Sequence, residues 1–159
     1  MVIIDGTNLL WAIHELSGER EITSEVQLCQ TLDRYFAQVG DEGEVVFDGA
    51  GPADKSVFDG IRYVGIAFSG FNSDADTVIE EKVLANTAPR RLTVVSSDRR
   101  LRKAAGERKA AALKSDAFWR QVLTELSRKR PARKEPEEKR EGLTQGETEQ
   151  WLDLFGLEE

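Results

Sequence analysis

The stretch VIIDGTNLL, residues 2–10, contains the pattern that the rest of the chain repeats. Three apolar residues of high β propensity, Val2 to Ile4, run directly into the carboxylate of Asp5. A short, continuous apolar run is typical of a strand that is buried on both faces of a parallel sheet. The Asp-Gly pair that follows predicts a tight turn before a short helix over 9–16, unless the acid has a chemical role.

Short apolar runs and helical periodicity alternate along the next hundred residues. Further strands are predicted in EVVFDGAG (44–51), IRYVGIAF (61–68) and RLTVVSSD (91–98), with a weak fifth strand in KAAAL (109–113). Helical spacing predicts helices over 24–39, 74–86 and 101–106 and a helix capped by Ser115. This alternation predicts an α/β fold, a parallel sheet of about four or five strands with helices on both faces.

Acidic residues follow three of these strands and open one of the helices. Asp48 and Asp98 end the second and fourth strands as Asp5 ends the first, and Asp74 and Asp76 begin a helix. Sites in parallel sheets form at the carboxyl ends of the strands, where these acids would meet. Clustered carboxylates repel one another unless a cation such as Mg²⁺ lies between them. Helix capping is the alternative explanation for acids at these positions.

Four motifs in order, D-G-x-N, V-V-F-D, D-A-D-x-x-I-E and S-S-D-R, resemble those of the YacP-like NYN domain family. The resemblance covers residues 1–126 and implies a PIN-like (Rossmannoid) nuclease domain; the segment WLDLFG (151–156) also resembles C-terminal segments of such proteins. It implies a metal-dependent ribonuclease that uses one or two Mg²⁺ or Mn²⁺ ions. The catalytic residues implied are Asp5, Asn8, Asp76 and Asp98. The metal ligands implied are Asp5, Asp76 and Asp98, with Glu80 as a further metal ligand or an acid that supports the ligands, and Ser97, Asp48 and Asp74 are in support.

The segment 99–114 carries seven basic residues against one acid, in a chain whose net charge is −7. A solvated helix face would explain this composition, but its position directly after Asp98 favours a track for an RNA backbone. The candidate RNA-binding residues are Arg99, Arg100, Arg102 and Lys103. Phe71, in the loop before the acidic helix, is a candidate for stacking on a base.

The composition changes after residue 126. Residues 127–142 are charged, contain two prolines and lack apolar periodicity, which predicts a linker. Residues 143–159 predict an amphipathic helix, with a capping box formed by Thr144 and Glu147. A helix this short is marginal alone, so we expect it to dock on its own domain, on a second copy or on a partner such as the ribosome.

The sequence contains one cysteine and no apolar run near the roughly 20 residues that span a bilayer. These features predict a cytoplasmic protein without a membrane segment or an internal disulfide. We expect a metal-dependent endoribonuclease that cleaves single-stranded RNA. The main alternative is a catalytically weak RNA-binding or ribosome-associated module on the same fold.

Two other enzyme classes fit the sequence less well. A phosphatase with an aspartyl nucleophile usually needs a second acid two residues after the first, and that position is Thr7. A DNA flap nuclease would need clamping elements for which a chain of 159 residues is short.

Overall fold

A computed structural model describes residues 1–17 and 24–128; residues from 129 onward, and with them the predicted C-terminal helix, lie outside the described residues. The elements, in chain order, are β1 (Val2–Asp5), α1 (Gly6–Ser17), α2 (Glu25–Val39), β2 (Gly43–Phe47), β3 (Val64–Phe68), α3 (Ala75–Ala85), β4 (Thr93–Val95), α4 (Arg99–Glu107), β5 (Ala111–Leu113) and α5 (Ser115–Ser127). Two short 3₁₀ helices cover Lys55–Phe58 and Pro89–Arg91.

The five strands form one parallel sheet in the order β3-β2-β1-β4-β5. Ile4 in the central strand pairs with Val45 on one side and with Val95 on the other. The expected α/β fold is therefore confirmed, including the weak fifth strand. Because β1 is central, its last residue, Asp5, lies in the middle of the carboxyl edge of the sheet.

Each face of the sheet is covered by its own set of helices. Ile4 and Val95 belong to a core with α1, α2 and α5, in which Trp119 is the largest buried side chain. Ile3 belongs to the opposite core, formed with α3 and α4. Neighbouring residues of one strand thus face different cores, which explains why the strands are continuously apolar.

The joint between β1 and α1 differs from the sequence-based expectation. No turn separates the two elements, because α1 begins at Gly6 rather than near Leu9. A Cβ atom at Gly6 would lie 2.4 Å from Cε1 of Phe47, so the glycine is required by close packing against β2.

Three smaller expectations are also corrected. Strands β2 and β4 are shorter than predicted, so Asp48 and Asp98 lie in the loops that follow them. Leu84 is 65% exposed, although the apolar spacing of the helix predicted over 74–86 places it with the residues that face inward. Ser115 is not the cap of α5: Lys114 occupies the N-cap position without a side-chain bond to the helix.

Among the helices of residues 1–17 and 24–128, none combines the length and the apolar character that crossing a membrane requires.

Candidate active site

Asp5 is the buried acid at the centre of the carboxyl edge, with only 4% of its surface exposed. Its Oδ1 accepts the backbone N–H of Asn8 at 3.2 Å, and its Oδ2 accepts the hydroxyl of Ser96 at 3.2 Å. Burial raises the pKa of Asp5, the two hydrogen bonds lower it, and the nearby carboxylates of Asp48 and Asp98 raise it, with burial the largest effect.

Ser96 connects Asp5 to the next acid along the edge. Its hydroxyl oxygen accepts the backbone N–H of Asp98 at 3.0 Å, and the Asp98 side chain caps α4 by accepting the N–H of Arg100 at 2.8 Å. The motifs in the sequence indicated a supporting role for the neighbouring Ser97 and gave none to Ser96. The available signal was a polar residue directly after a buried strand, because such a residue must find a partner.

Asn8 and Ser97 bind to each other and to the start of α5. The side-chain oxygen of Asn8 accepts the N–H of Ser97 at 3.0 Å and the hydroxyl of Ser115 at 2.6 Å. The Ser97 hydroxyl oxygen accepts the N–H of Ser115 at 3.2 Å. Asn8 therefore connects the start of α1 to the loop after β4 and to the start of α5.

Asp76 lies in the first turn of α3, half-buried, and faces the same acids. Partial burial, the charges of Asp98 and Asp5 and a hydrogen bond with the Asp98 side chain raise the pKa of Asp76 to about 6. We call Asp5, Asp76 and Asp98 the acidic triad, because their charges act on one another. Within the described part of the chain, no three His, Cys, Asp or Glu side chains are grouped closely enough to hold a metal ion. The triad thus shares one electrostatic environment without forming a closed ligand shell.

Asp48 and Asp74 hold the start of α3 in place. Asp48 accepts the N–H of Ala75 at 2.7 Å and donates its own N–H to Thr7 at 3.0 Å. Asp74 caps α3 by accepting the N–H of Thr77 at 2.8 Å, a bond that lowers the pKa of Asp74. Both exposed acids therefore position the helix that carries Asp76.

The structure pairs Glu80, one turn beyond Asp76, with a basic residue. Nε and Nη2 of Arg100 donate to its two carboxylate oxygens at 2.9 and 2.8 Å, and this lowers the pKa of Glu80. Of the other candidate RNA-binding residues, Arg99 and Lys103 are exposed and Arg102 is half-buried.

The fold and the site together define a parallel α/β domain with an acidic group over its central strand. The chain belongs to the YacP-like NYN domain family, whose model matches residues 2–154. This confirms the resemblance seen in the sequence, and the family indicates a nuclease-type fold.

Solved structures agree with the family assignment. The chain is similar to the crystal structure of Rae1 (YacP) from Bacillus subtilis, with 23% identity and a TM-score of 0.58 over 79% of this chain and 74% of that chain. A single-substitution mutant of the same protein matches with 24% identity and a TM-score of 0.59 over 78% and 75% of the two chains. Among curated proteins, none matches this chain significantly.

Proposed function

We propose that this protein is a divalent-metal-dependent endoribonuclease that cleaves single-stranded RNA. The observation that carries the proposal is the convergence of the three carboxylates of the acidic triad at the carboxyl edge of the sheet, where burial and the charges of Asp98 and Asp5 raise the pKa of Asp76 to about 6. Carboxylates held together without a cation are costly, and their oxygen atoms are the ligands that Mg²⁺ and Mn²⁺ prefer. The oxygen atoms of the triad are therefore of the type that a hard divalent cation binds, and the three carboxylates would draw together around the ion from the more open arrangement described above.

Asp5, Asp76 and Asp98 would hold one or two such ions, which activate water and stabilise the leaving oxygen of a phosphodiester. Ser96 and the Asn8 backbone orient the Asp5 carboxylate. The side-chain oxygen of Asn8 is occupied by Ser97 and Ser115, which leaves its amide N–H groups for a water or a phosphate oxygen.

The surface beside the triad supports RNA as the substrate. Helix α4 begins one residue after Asp98 and exposes Arg99, Arg100 and Lys103. Such residues neutralise backbone phosphates irrespective of sequence. In the loop before α3, Phe71 is 90% exposed, and a splayed base could stack on its ring.

The test is cleavage of an end-labelled single-stranded RNA by the full-length chain with Mn²⁺, with Mg²⁺ and with EDTA, beside an Asp5→Asn variant. We expect internal cuts that require the metal and disappear in the variant. Because Asn is nearly isosteric with Asp, thermal unfolding of the variant should show that it is folded.

The alternative outcomes distinguish the remaining possibilities. RNA that stays whole but is retained in a gel shift by both proteins would indicate the RNA-binding module instead of the nuclease. RNA that is neither cut nor bound would contradict both, and RNA on translating ribosomes would be the next substrate to test.

A further inference from the structure

Arg100 is held in place from one side by two residues of α3. Its Nε and Nη2 donate to the two oxygens of Glu80, and Nη2 also donates to the hydroxyl of Thr77 at 3.2 Å. Three of the five N–H groups of the guanidinium are thereby used. A two-point contact of this kind fixes the plane of the guanidinium as well as its distance from Glu80.

The other edge of the same guanidinium remains available. Nη1 of Arg100, with two N–H groups, has no hydrogen-bond partner among residues 1–17 and 24–128. The side chain is 46% exposed, so a ligand can reach it. An arginine that is ordered before binding loses less side-chain freedom when it takes up a phosphate.

The position of Arg100 is where a phosphate needs a positive charge. The backbone N–H of Arg100 donates to the carboxylate of Asp98. The negative charges of Asp74 and Asp76 also act on the Arg100 side chain. These acids repel an RNA backbone that approaches the triad, and a fixed cation beside them offsets that repulsion.

The same contacts argue against Glu80 as a metal ligand. Both of its carboxylate oxygens are occupied by Arg100, so coordination of a metal ion would break a bidentate pair. Glu80 lies one turn along α3 from Asp76, but it is turned toward α4 rather than to Asp5.

Resting on the proposed function, we infer that Arg100 binds the RNA phosphate next to the acidic triad and that Glu80 is its positioning residue. Glu80 and Thr77 present Nη1 to the RNA, and the metal ions are left to Asp5, Asp76 and Asp98. This changes the role of Glu80 from the ligand that the family resemblance implied to a support for substrate binding.

The experiment compares Arg100→Gln, Glu80→Gln and the double variant in the full chain. Affinity for a fluorescent single-stranded RNA is measured by anisotropy at several salt concentrations in an Asp5→Asn background, which prevents cleavage. We expect Arg100→Gln to weaken binding about tenfold and to reduce the salt slope by about 1, as for loss of one phosphate contact. With Asp5 intact, we expect both single variants to lower kcat/KM, with no further loss in the double variant.

The readout specific to Glu80 is the metal dependence. We expect the Mn²⁺ concentration for half-maximal cleavage, and direct Mn²⁺ binding measured by electron paramagnetic resonance, to be unchanged in Glu80→Gln. A weaker Mn²⁺ affinity, together with a full additional loss of activity when Glu80→Gln is added to Arg100→Gln, would make Glu80 a ligand and overturn the inference.

Matched controls separate this role from general charge effects. Glu81→Gln removes the same charge from the next, exposed residue of α3, and Arg120→Gln breaks an exposed ion pair with Asp116 on α5. Neither should alter RNA affinity or cleavage by more than about twofold, because surface pairs contribute little.

The inference and the proposed function can fail separately. A wild-type chain that binds RNA through Arg100 but does not cut it would refute the nuclease and retain the phosphate contact. If Arg100→Gln changes neither RNA cleavage nor RNA affinity, the nuclease function stands and the phosphate contact of Arg100 is refuted.

Discussion

Ser96 donates its hydroxyl hydrogen to Asp5 at 3.2 Å, although 91 residues separate the two in the chain. Both residues are buried, so water does not replace this bond readily. Because the Ser96 oxygen also accepts the N–H of Asp98, one hydroxyl connects the acid after β1 to the acid that caps α4. The spacing between these two members of the acidic triad therefore depends on Ser96.

Replacing Ser96 with alanine should have two effects. It should lower the free energy of unfolding, and it should reduce the cleavage activity at low pH. The change leaves a buried carboxylate and a backbone N–H without this partner, which costs about 1–3 kcal/mol of unfolding free energy. It also removes a bond that favours the charged form of Asp5, so the pKa of Asp5, already raised by burial, should rise further.

Urea unfolding measures the first effect, and the acid limb of the pH–rate profile at subsaturating Mn²⁺ measures the second, which should move to higher pH. Ser97→Ala is the control, since the Ser97 hydroxyl contacts Ser115 rather than Asp5. A shifted limb in Ser97→Ala and an unshifted one in Ser96→Ala would contradict the assignment.

The raised pKa of Asp76 predicts that the contribution of this residue to the stability of the metal-free protein falls as pH rises through the acidic range. Its pKa is about 6 in the folded state against 3.8 as the reference, so the folded state binds the proton more tightly than the unfolded state. The contribution of Asp76 to stability therefore falls as pH rises from about 4 to about 6 and is constant above that range. Asp76→Asn should be more stable than wild type at pH 7 in EDTA, and the difference should shrink toward pH 4.

Thermal unfolding from pH 4 to pH 8 measures this difference between the two proteins. Added Mn²⁺ should raise the unfolding temperature of wild type more than that of the variant, because the ion binds the folded triad. Equal unfolding temperatures across the whole range would show that burial and the neighbouring acids do not raise the pKa of Asp76.

The sequence was sufficient for the sheet and for the acids at its edge, because buried strands and helix starts leave local signals. The order of strands leaves no such signal, and the contacts of Ser96 with Asp5 and of Ser115 with Asn8 follow from that order. Glu80 shows the same limit. Its spacing from Asp76 predicts a shared helix face, but its partner Arg100 is set by the packing of α3 against α4.

Two substitutions of Asn8 should distinguish its structural role from its chemical role. Asn8→Ala leaves the N–H of Ser97 and the hydroxyl of Ser115 without their acceptor, and should lower the unfolding free energy by about 1–3 kcal/mol. Asn8→Asp keeps an acceptor for both but removes the amide donors, so it should fold and lose most of its cleavage activity.

The measurements are urea unfolding and RNA cleavage at saturating Mn²⁺. An Asn8→Asp variant with wild-type activity would show that the Asn8 amide hydrogens have no part in the reaction and that its role is to join α1 to α5.

Gly6→Ala tests the close joint between β1 and α1. The added Cβ would lie 2.4 Å from Cε1 of Phe47 and 2.7 Å from Cγ1 of Val45, both in a closely packed core. Overpacking of this kind costs about 1–3 kcal/mol, and the displacement would move Asp5 directly before it. Urea unfolding should show the loss, and Gly106→Ala, where a Cβ meets nothing within 4 Å, is the matched control.

Phe71 should contribute to RNA affinity through its ring. The Phe71 side chain is 90% exposed and lies in the loop before the acidic start of α3. The preceding residue, Gly70, has a positive φ of 81°, a conformation that favours glycine. The N–H of Gly70 donates to the carbonyl of Gly49 at 2.9 Å, which anchors the residue before Phe71, and an exposed ring next to an anchored residue is a suitable platform for a base. Phe71→Ala should weaken binding of single-stranded RNA by about 1–3 kcal/mol, the usual value for one stacked base, while Phe71→Trp should retain it.

Leu84→Ala, which removes another exposed apolar side chain at the far end of α3, should leave the affinity unchanged. Because stacking does not depend on phosphate charge, the loss in Phe71→Ala should persist at high salt, whereas the loss in Arg100→Gln should diminish. A loss in Phe71→Ala that disappears as salt increases would show that the ring does not stack on a base.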